Sequence, residues 1–238
     1  MQKTTVESYV APVTNRGVIH TLPQGTIMLF DWVQATIFPE SHYKDIYSLF
    51  FHLFGINRWT VLLDAVKPLF GYTHCYSYRH LYIFTSERED MGYHVYLTGQ
   101  GCRDLEDLGI TYLDFFSKLF EFNCNFTRID VSIDNFTNKY YSLNRVVKCI
   151  KNHEVVSRFR SSIQFAKEDL DSLENIGHTV WFGSRSSDVQ FVFYDKLKER
   201  IYNADVEVSD DIKYWTRLEM RFRNENAIDI AFNYLWCN

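Results

Sequence analysis

The sequence predicts an α+β fold with a mainly antiparallel central sheet covered by helices. Aromatic residues make up 17% of the chain, with Phe and Tyr dominating, and these side chains favour the pleated surface of a sheet. Segments with a hydrophobic period of two alternate with segments of period 3.6. Several of the period-two segments are separated only by short turns, as antiparallel hairpins require.

The first half of the chain has the order strand, helix, hairpin, helix. Its predicted elements are a strand at 26–38, a helix at 41–55 ending at Gly55, a short helix at 60–71 broken before Pro68, a hairpin formed by 71–86 and 92–99, and a helical segment at 103–122 that Gly109 can divide. Residues 1–25 are polar and contain Pro12, Gly17 and Pro23, so we expect an N-terminal arm.

The second half repeats this order from residue 126, which predicts two similar halves within one domain spanning residues 26–238. Its predicted elements are a strand at 126–134, a helix at 142–154, a strand at 160–167, a hairpin formed by 178–183 and 188–194, a helix at 195–203, a strand at 214–223 and a closing helix at 225–236. Neither low-complexity sequence nor a clear linker separates the halves.

Composition excludes several classes of protein. The net charge of −5 argues against a histone-like nucleic-acid binder, which carries a large basic excess. The five cysteines include no C-x-x-C pair and the eight histidines show no ligand spacing, which argues against zinc. We therefore expect reduced thiols in a cytoplasmic protein. The most apolar run is too short to span a membrane.

Three strands carry polar side chains at alternating positions where a buried strand would be apolar. Because side chains alternate between the two faces of a strand, the polar set of each strand lies on one face. The sets are Arg128, Asp130, Ser132 and Asp134; Arg217, Glu219 and Arg221; and Gln190, Val192 and Tyr194. If the three strands are neighbours, Asp130, Asp134, Glu219 and Tyr194 converge.

Carboxylates that converge on one sheet face repel each other unless a positive charge neutralises them. A divalent cation such as Mg²⁺ or Mn²⁺ prefers oxygen ligands and would do this. Cross-strand pairs with the neighbouring arginines would do it equally well. Lys196, Arg185 and the strand arginines also suit the face to phosphate binding, although a charged face that only keeps a sheet soluble has the same sequence.

Three stretches of the second half, TRIDVSID, GHTVWFGSRSSDVQFVFYDKLKER and WTRLEMRFR, resemble the replication initiation factor family. This family includes rolling-circle replication initiators of plasmids and related relaxases of conjugative elements and filamentous phages. In the first half FDWVQATI and DMGYHVYLTGQGCRDLE resemble the same family. The similarity runs from about residue 26 to about residue 235 and rests on the order and spacing of all these segments.

The resemblance implies a nicking and joining endonuclease whose fold is related to that of the His-hydrophobe-His nickases, with acidic residues in place of the metal-binding histidines. It would cut one DNA strand at an origin with a tyrosine and Mg²⁺ or Mn²⁺, forming a 5′-phosphotyrosine. Tyr194 matches the family's nucleophile position, and Asp130 and Glu219 match its acidic metal-binding positions, with Asp134 as a further candidate ligand. Lys196 and Arg217 would then hold the scissile phosphate. The candidate DNA contacts are Arg128, Ser184, Arg185, Arg221 and Trp181.

The implied partners are single-stranded or hairpin origin DNA, a host helicase and a second copy of the chain in a homodimer. Trp181 could stack on unpaired bases, or it could be an ordinary core residue. Three other interpretations fit the same residues: a non-catalytic origin-binding module of this fold, a metal-dependent nuclease that uses water, and a structural domain in which the strand charges form ion pairs only.

Overall fold

A computed structural model describes residues 25–38, 45–137, 139–171, 175–203, 208 and 210–236. Within these residues, ten antiparallel strands form one sheet. The strands are β1 (Thr26–Ile37), β2 (Leu62–Leu63), β3 (His74–Tyr78), β4 (Leu81–Thr85), β5 (Tyr93–Leu97), β6 (Cys124–Asn135), β7 (Ser162–Glu168), β8 (Asn175–Phe182), β9 (Val189–Asp195) and β10 (Thr216–Arg223). The described helices are α1 (Ile46–Phe54), α2 (Gly99–Asp107), α3 (Tyr112–Phe120), α4 (Leu143–Lys151), α5 (Lys196–Asn203) and α6 (Glu225–Trp236).

The sheet confirms the predicted α+β class and has the predicted two halves. The strand order is β2-β3-β4-β5-β1-β6-β10-β9-β8-β7. From the centre outward, one half has the order β1, β5, β4, β3, β2 and the other has β6, β10, β9, β8, β7. If the strands of each half are numbered along the chain, both halves therefore have the order first, fifth, fourth, third, second. The long strands β1 and β6 join the halves, because they pair with each other along nearly their full length.

Helices cover one face of the sheet and leave much of the other face open. The apolar residues of α1, α2, α3 and α6 pack with the inward residues of β1, β4, β5 and β6 in a single core. The helix α4 packs separately on β8 and β9. Gly109, at φ +73°, lies between α2 and α3, which confirms the predicted division of that helical segment.

One predicted element is wrong. Residues 60–71 form no helix, because Arg58–Thr60 is a single 3₁₀ turn and Leu62–Leu63 pairs with β3 at the sheet edge. The early turn leaves too few residues before Pro68 for a stable helix. The N-terminal arm and the start of the predicted helix at 41–55 lie outside the described residues. Within the described residues no helix is long and apolar enough to cross a membrane, and Cys75, Cys102, Cys124 and Cys149 are free thiols.

An aromatic cluster on the open face of the first half surrounds His94 of β5. The centre of the His94 ring lies 5.6, 6.2 and 6.4 Å from the ring centres of Tyr72, Phe84 and Tyr96, and its Nδ1 is 2.9 Å from Oγ1 of Thr36. The other ring nitrogen is buried without a hydrogen-bond partner. Burial lowers the pKa of His94 to about 4, since the charged ring would lose its hydration there.

We expect His94 to make the protein less stable in mild acid. Between about pH 7 and pH 5 the unfolded chain binds a proton at this residue and the folded protein does not, so the unfolding free energy falls by about 2 kcal/mol as the pH is lowered. Urea unfolding at both pH values should show that loss in the wild type and a loss about 2 kcal/mol smaller in His94→Phe. Equal losses in the two proteins would contradict the expectation.

Candidate active site

The polar sides of β6, β9 and β10 meet on the open face, because the three strands are neighbours in the order β6-β10-β9. Arg217 lies opposite Tyr194 on β9 and opposite Asp134 on β6. Glu219 lies opposite Ser132, two residue pairs further along, and therefore on the same face as Arg217. The hydroxyl of Tyr194 donates to Oε2 of Glu219 at 3.5 Å, so the strand register alone joins the phenol to the acids.

Arg217 is the centre of a buried ion-pair network. Its Nε and Nη2 donate to the two carboxylate oxygens of Asp134 at 2.7 Å each, and its Nη1 donates to Asp31 at 2.8 Å. Arg217 and Asp134 are both 0% exposed. Burial lowers the pKa of Arg217, but the negative charges of Asp31 and Asp134 raise it by more, so the pKa of Arg217 lies above its ordinary value. Neither Arg217 nor Asp134 can reach a ligand without breaking these bonds.

Asp130 and Glu219 are both paired with arginines, and Arg221 contacts both acids. Arg128 donates to both oxygens of Asp130 at 2.8 and 2.5 Å. Arg221 donates from Nε to Glu219 at 2.7 Å, and the same nitrogen lies 3.5 Å from Asp130. The pKa of Asp130 is raised to about 6, mainly by burial; Arg128 and Arg221 oppose this increase, and Glu219 adds to it. The structure thus contains arginine–carboxylate ion pairs, which were one of the two alternatives expected from the sequence.

Tyr194 is half-buried between cations. Burial raises its pKa well above the ordinary value of 10, although the positive charge of Arg217 acts in the opposite direction. The ammonium of Lys196 lies 5.5 Å from the centre of the Tyr194 ring and 2.6 Å from Oε2 of Glu199. Burial lowers the pKa of Lys196, and Arg217 lowers it further. The phenolate would form only where these positive charges compensate for the lost hydration.

A cleft of about 470 Å³ opens beside this cluster. Its described lining residues are Asp31, Trp32, Thr98, Gly99, Gln100, Arg128, Asp130, Lys196, Glu199, Arg200, Glu219 and Arg221. Tyr194 is not part of the lining, and it meets the cleft through its contacts with Glu219 and Lys196. A substrate in the cleft would therefore lie beside Tyr194, next to Glu219 and Lys196.

The N-terminal turn of α2 forms one wall of the cleft. Thr98 is the N-cap residue, yet its side chain makes no capping hydrogen bond, and the first turn holds no acidic residue. The turn fits closely against the sheet because residue 101 is glycine. A Cβ at Gly101 would lie 2.5 Å from the carbonyl oxygen of His80. A helix N-terminus carries partial positive charge and amide donors.

A second cavity of about 340 Å³ adjoins the cleft through Arg221. Trp181, Arg185, Gln190, Arg221 and Arg223 line it. The ring of Trp181 is partly exposed there and contacts Phe165 edge to face, so it lies outside the hydrophobic core. Ser184 lies on the exposed turn between β8 and β9, where its hydroxyl bonds to Ser186 and Ser187.

The carboxylates fit a hard cation in their chemistry. Mg²⁺ usually takes one or two protein carboxylates and completes its shell with water and substrate phosphate. Asp130 and Glu219 are two such ligands on one face, and the buried hydroxyl of Ser132 beside them has no hydrogen-bond partner. No group of three His, Cys, Asp or Glu side chains is poised to hold an ion in the described part of the chain, so the protein supplies at most part of a shell.

Sequence reasoning missed several residues that line the cleft. Asp31 lies in a segment that carried the family resemblance, but the alternation pattern gave no reason to select it. Glu199 and Arg200 follow Lys196 on α5, where their spacing of three and four residues could have placed them on its face. Nothing in the sequence around Thr98 indicated that this turn lies beside the cleft.

Comparisons with known proteins agree with the resemblance in both halves. The family described as Rolling Circle replication initiation protein N-terminal domain matches residues 27–121, and the family described as Replication initiation factor matches residues 124–236. The Bacillus subtilis (strain 168) protein named DNA relaxase NicK is 33% identical over 229 residues, which cover 91% of this chain and 62% of that protein. The chain thus spans less than two thirds of this curated relative.

A solved structure has the same fold. It is that of a rolling circle replication initiator protein from Geobacillus stearothermophilus, which is 29% identical and superposes with a TM-score of 0.75. The similarity covers 90% of this chain and 80% of that one. Together with the agreement of both halves, this confirms the family predicted from the sequence and its antiparallel α+β architecture.

Proposed function

We propose that this chain, which belongs to the rolling-circle replication initiation factor family, nicks and rejoins one strand of origin DNA through Tyr194. Relaxase and initiator are the descriptions of its relatives, and the tyrosine chemistry is our proposal. One observation carries it. The hydroxyl of Tyr194 is hydrogen-bonded to Glu219, an acid of the cleft.

In the proposed reaction the Tyr194 oxygen attacks the phosphorus of one phosphodiester. A bond forms between Oη and phosphorus, and the bond from phosphorus to the 3′-oxygen breaks. The phenolic proton passes to Glu219, and the 3′-oxygen leaves with a proton from solvent. Attack by a 3′-hydroxyl on the 5′-phosphotyrosine reverses these steps, so rejoining needs no external energy source.

The positive charges around Tyr194 have separate roles in this proposal. Arg217 stays within its buried network and favours the phenolate through the electric field, without touching the phosphate. Lys196 lines the cleft over the Tyr194 ring and could bind the scissile phosphate once it leaves Glu199. Asp134, with both oxygens on Arg217, holds that arginine in place, which we prefer to a role as metal ligand.

Asp130 and Glu219 would hold the Mg²⁺ or Mn²⁺ ion, with Arg128 and Arg221 moving from the carboxylates to the DNA. When bound, such an ion withdraws charge from a phosphate oxygen and makes the phosphorus easier to attack. The second cavity would take an unpaired base on Trp181, with Arg185 and Ser184 near the adjoining backbone. Unpaired bases suit a single-stranded or hairpin origin.

The test is covalent capture from single-stranded DNA of random sequence. Purified protein is incubated with a labelled pool and Mn²⁺, denatured in detergent and washed, and the attached strands are sequenced. We expect a labelled band at the size of the protein plus DNA, with one sequence enriched next to the linkage. The same incubation with EDTA should give no band. DNA that is cut but never attached would favour the water-using nuclease instead.

Removing the acids should separate catalysis from binding. Asp130→Asn and Glu219→Gln are each expected to lower metal-dependent adduct formation by about 100-fold or more, because each removes a charge that holds the cation. Binding of the captured strand without metal should change much less. Asp229→Asn, an exposed position on α6, is the control. Full cleavage by both variants would return Asp130 and Glu219 to a purely ion-pairing role.

The same protein and DNA pool also test the alternative of a non-catalytic module. A non-catalytic origin-binding module would bind the pool and leave no covalent band. The homodimer and the helicase partner stay predictions. An enzyme that acts on origin DNA works where that DNA is, so the proposal carries the expected cytoplasmic location with it.

A further inference from the structure

Arg200 is a buried cation of the cleft that has no carboxylate partner. It is 8% exposed, lines the cleft, and its Nε has no hydrogen-bond partner. The other cleft cations differ, since Arg128 pairs with Asp130, Lys196 with Glu199 and Arg221 with Glu219. For Arg200 the described residues offer no carboxylate within 4.0 Å.

A cation in this position is costly to the free protein and useful to a bound anion. Burying a charge without a partner destabilises the folded state. Glu199 attracts Arg200 without an ion-pair contact, while Arg217 repels it, so the charges of the free protein compensate the burial of Arg200 only in part. A guanidinium binds phosphate through two parallel hydrogen bonds, which makes a phosphate the ligand that fits best.

The opposite wall of the cleft is also built for an anion. α2 follows β5, while α5 follows β9, and the strands β1, β6 and β10 lie between β5 and β9. The N-terminal turn of α2 therefore approaches the cleft from the other side. Its N-cap Thr98 leaves the turn uncapped by a side chain, and the Gly99 amide has no acceptor within the helix.

We propose that a single DNA strand crosses the cleft between Arg200 and the N-terminal turn of α2, with one backbone phosphate bound at each wall. This inference rests on the proposed function for its substrate, but it concerns binding and not cutting. The strand would lie over Asp130 and Glu219, which form the floor between the two walls. Its phosphates would hold the scissile bond in place at Tyr194.

The test measures binding of a short oligothymidylate to Tyr194→Phe protein in EDTA, so neither cleavage nor an origin sequence enters. We expect Arg200→Gln to weaken binding about 10- to 100-fold and to reduce the slope of log K against log salt by about 0.7, the value for one lost phosphate contact. Arg200→Lys should keep most of the slope. Arg88→Gln, at an exposed arginine paired with Asp90, should leave it unchanged.

The second wall has its own pair of variants. Thr98→Asp and Thr98→Asn both supply a helix cap, and only the aspartate adds a negative charge where the phosphate would sit. We expect Thr98→Asp to bind at least about tenfold more weakly than Thr98→Asn. Neither should melt at a lower temperature than the parent protein. Equal affinities for the two variants would overturn the second phosphate position.

Stability separates binding from a structural role for Arg200. Removal of an unpaired buried cation should leave the melting temperature of Arg200→Gln unchanged or higher. A lower melting temperature with an unchanged salt slope would mean that Arg200 only supports the fold. Inorganic phosphate is titrated in parallel. If it stabilises the protein through Arg200 while the oligothymidylate slope stays constant, the ligand is a free anion and the strand path is wrong. A wild type that forms no covalent adduct but shows the expected slopes would refute the proposed chemistry alone.

Discussion

Tyr194→Phe is expected to lower formation of the covalent protein–DNA adduct by about three orders of magnitude or more. The substitution removes the attacking oxygen and nothing else, so no alternative covalent route remains. The fold should tolerate it. The hydroxyl makes one long bond of 3.5 Å to Glu219, and Glu219 keeps its partner Arg221, so the unfolding free energy should change by about 1 kcal/mol or less.

The matched control is Tyr202→Phe. Tyr202 lies on α5, directly after the nucleophile strand, and its side chain is 46% exposed. The Tyr202→Phe protein should form the adduct at the wild-type rate. Adduct persisting in Tyr194→Phe and disappearing in Tyr202→Phe would move the nucleophile from β9 to α5. Cleavage without adduct in Tyr194→Phe would show that water can attack, and that Tyr194 is dispensable for cutting.

The convergence of these strands could be predicted from period-two alternation, because a strand face is a local property. Asp130, Glu219 and Tyr194 needed only the additional condition that β6, β10 and β9 be neighbours, which they are. The group that neutralises the carboxylates of this cluster could not be predicted. The same alternation permits a metal between the acids or arginines between them, and the choice depends on distances of a few tenths of an ångström that spacing does not encode.

Asp31 shows where alternation fails. The pairing of β1 with β6 shifts between Phe30 and Trp32, so Asp31 is an extra residue that has no partner in the ladder. Phe30 packs in the core, and so does Val33, although strict alternation would put them on opposite faces. The bulge moves Asp31 to the cleft and to Arg217. A bulge redirects a side chain without changing the sequence pattern around it.

The placement of the helices around the cleft could not be predicted from the sequence either. The sequence indicates that α5 is amphipathic and that α2 begins near Thr98, but not that the two approach one cleft from opposite sides. That relation comes from the connections around the sheet. β5 is the second strand from the centre in the first half, and β9 is the third strand from the centre in the second half. Each half thus contributes a helix end to the cleft, while the second half contributes Tyr194 and all of the cleft acids except Asp31.

Arg217→Met should destabilise the protein by about 3–5 kcal/mol, because it leaves Asp134 charged and fully buried with no cation. That is a large part of the total stability of a typical domain. Arg217→Lys keeps the charge but cannot bond to Asp134 through two nitrogens while also reaching Asp31, so an intermediate loss is expected. Urea unfolding followed by circular dichroism measures both.

The double variant Arg217→Met with Asp134→Asn decides what Asp134 does. If its carboxylate serves only to hold Arg217, removing both charges together should recover about 2 kcal/mol or more of the loss, since no unpaired buried charge remains at that pair. Asp134→Asn alone should then lower stability and leave Mn²⁺ affinity unchanged. If Asp134→Asn instead unfolds like the wild type and fails to bind Mn²⁺, Asp134 is a metal ligand after all. Arg217 would then need another partner in the DNA-bound state.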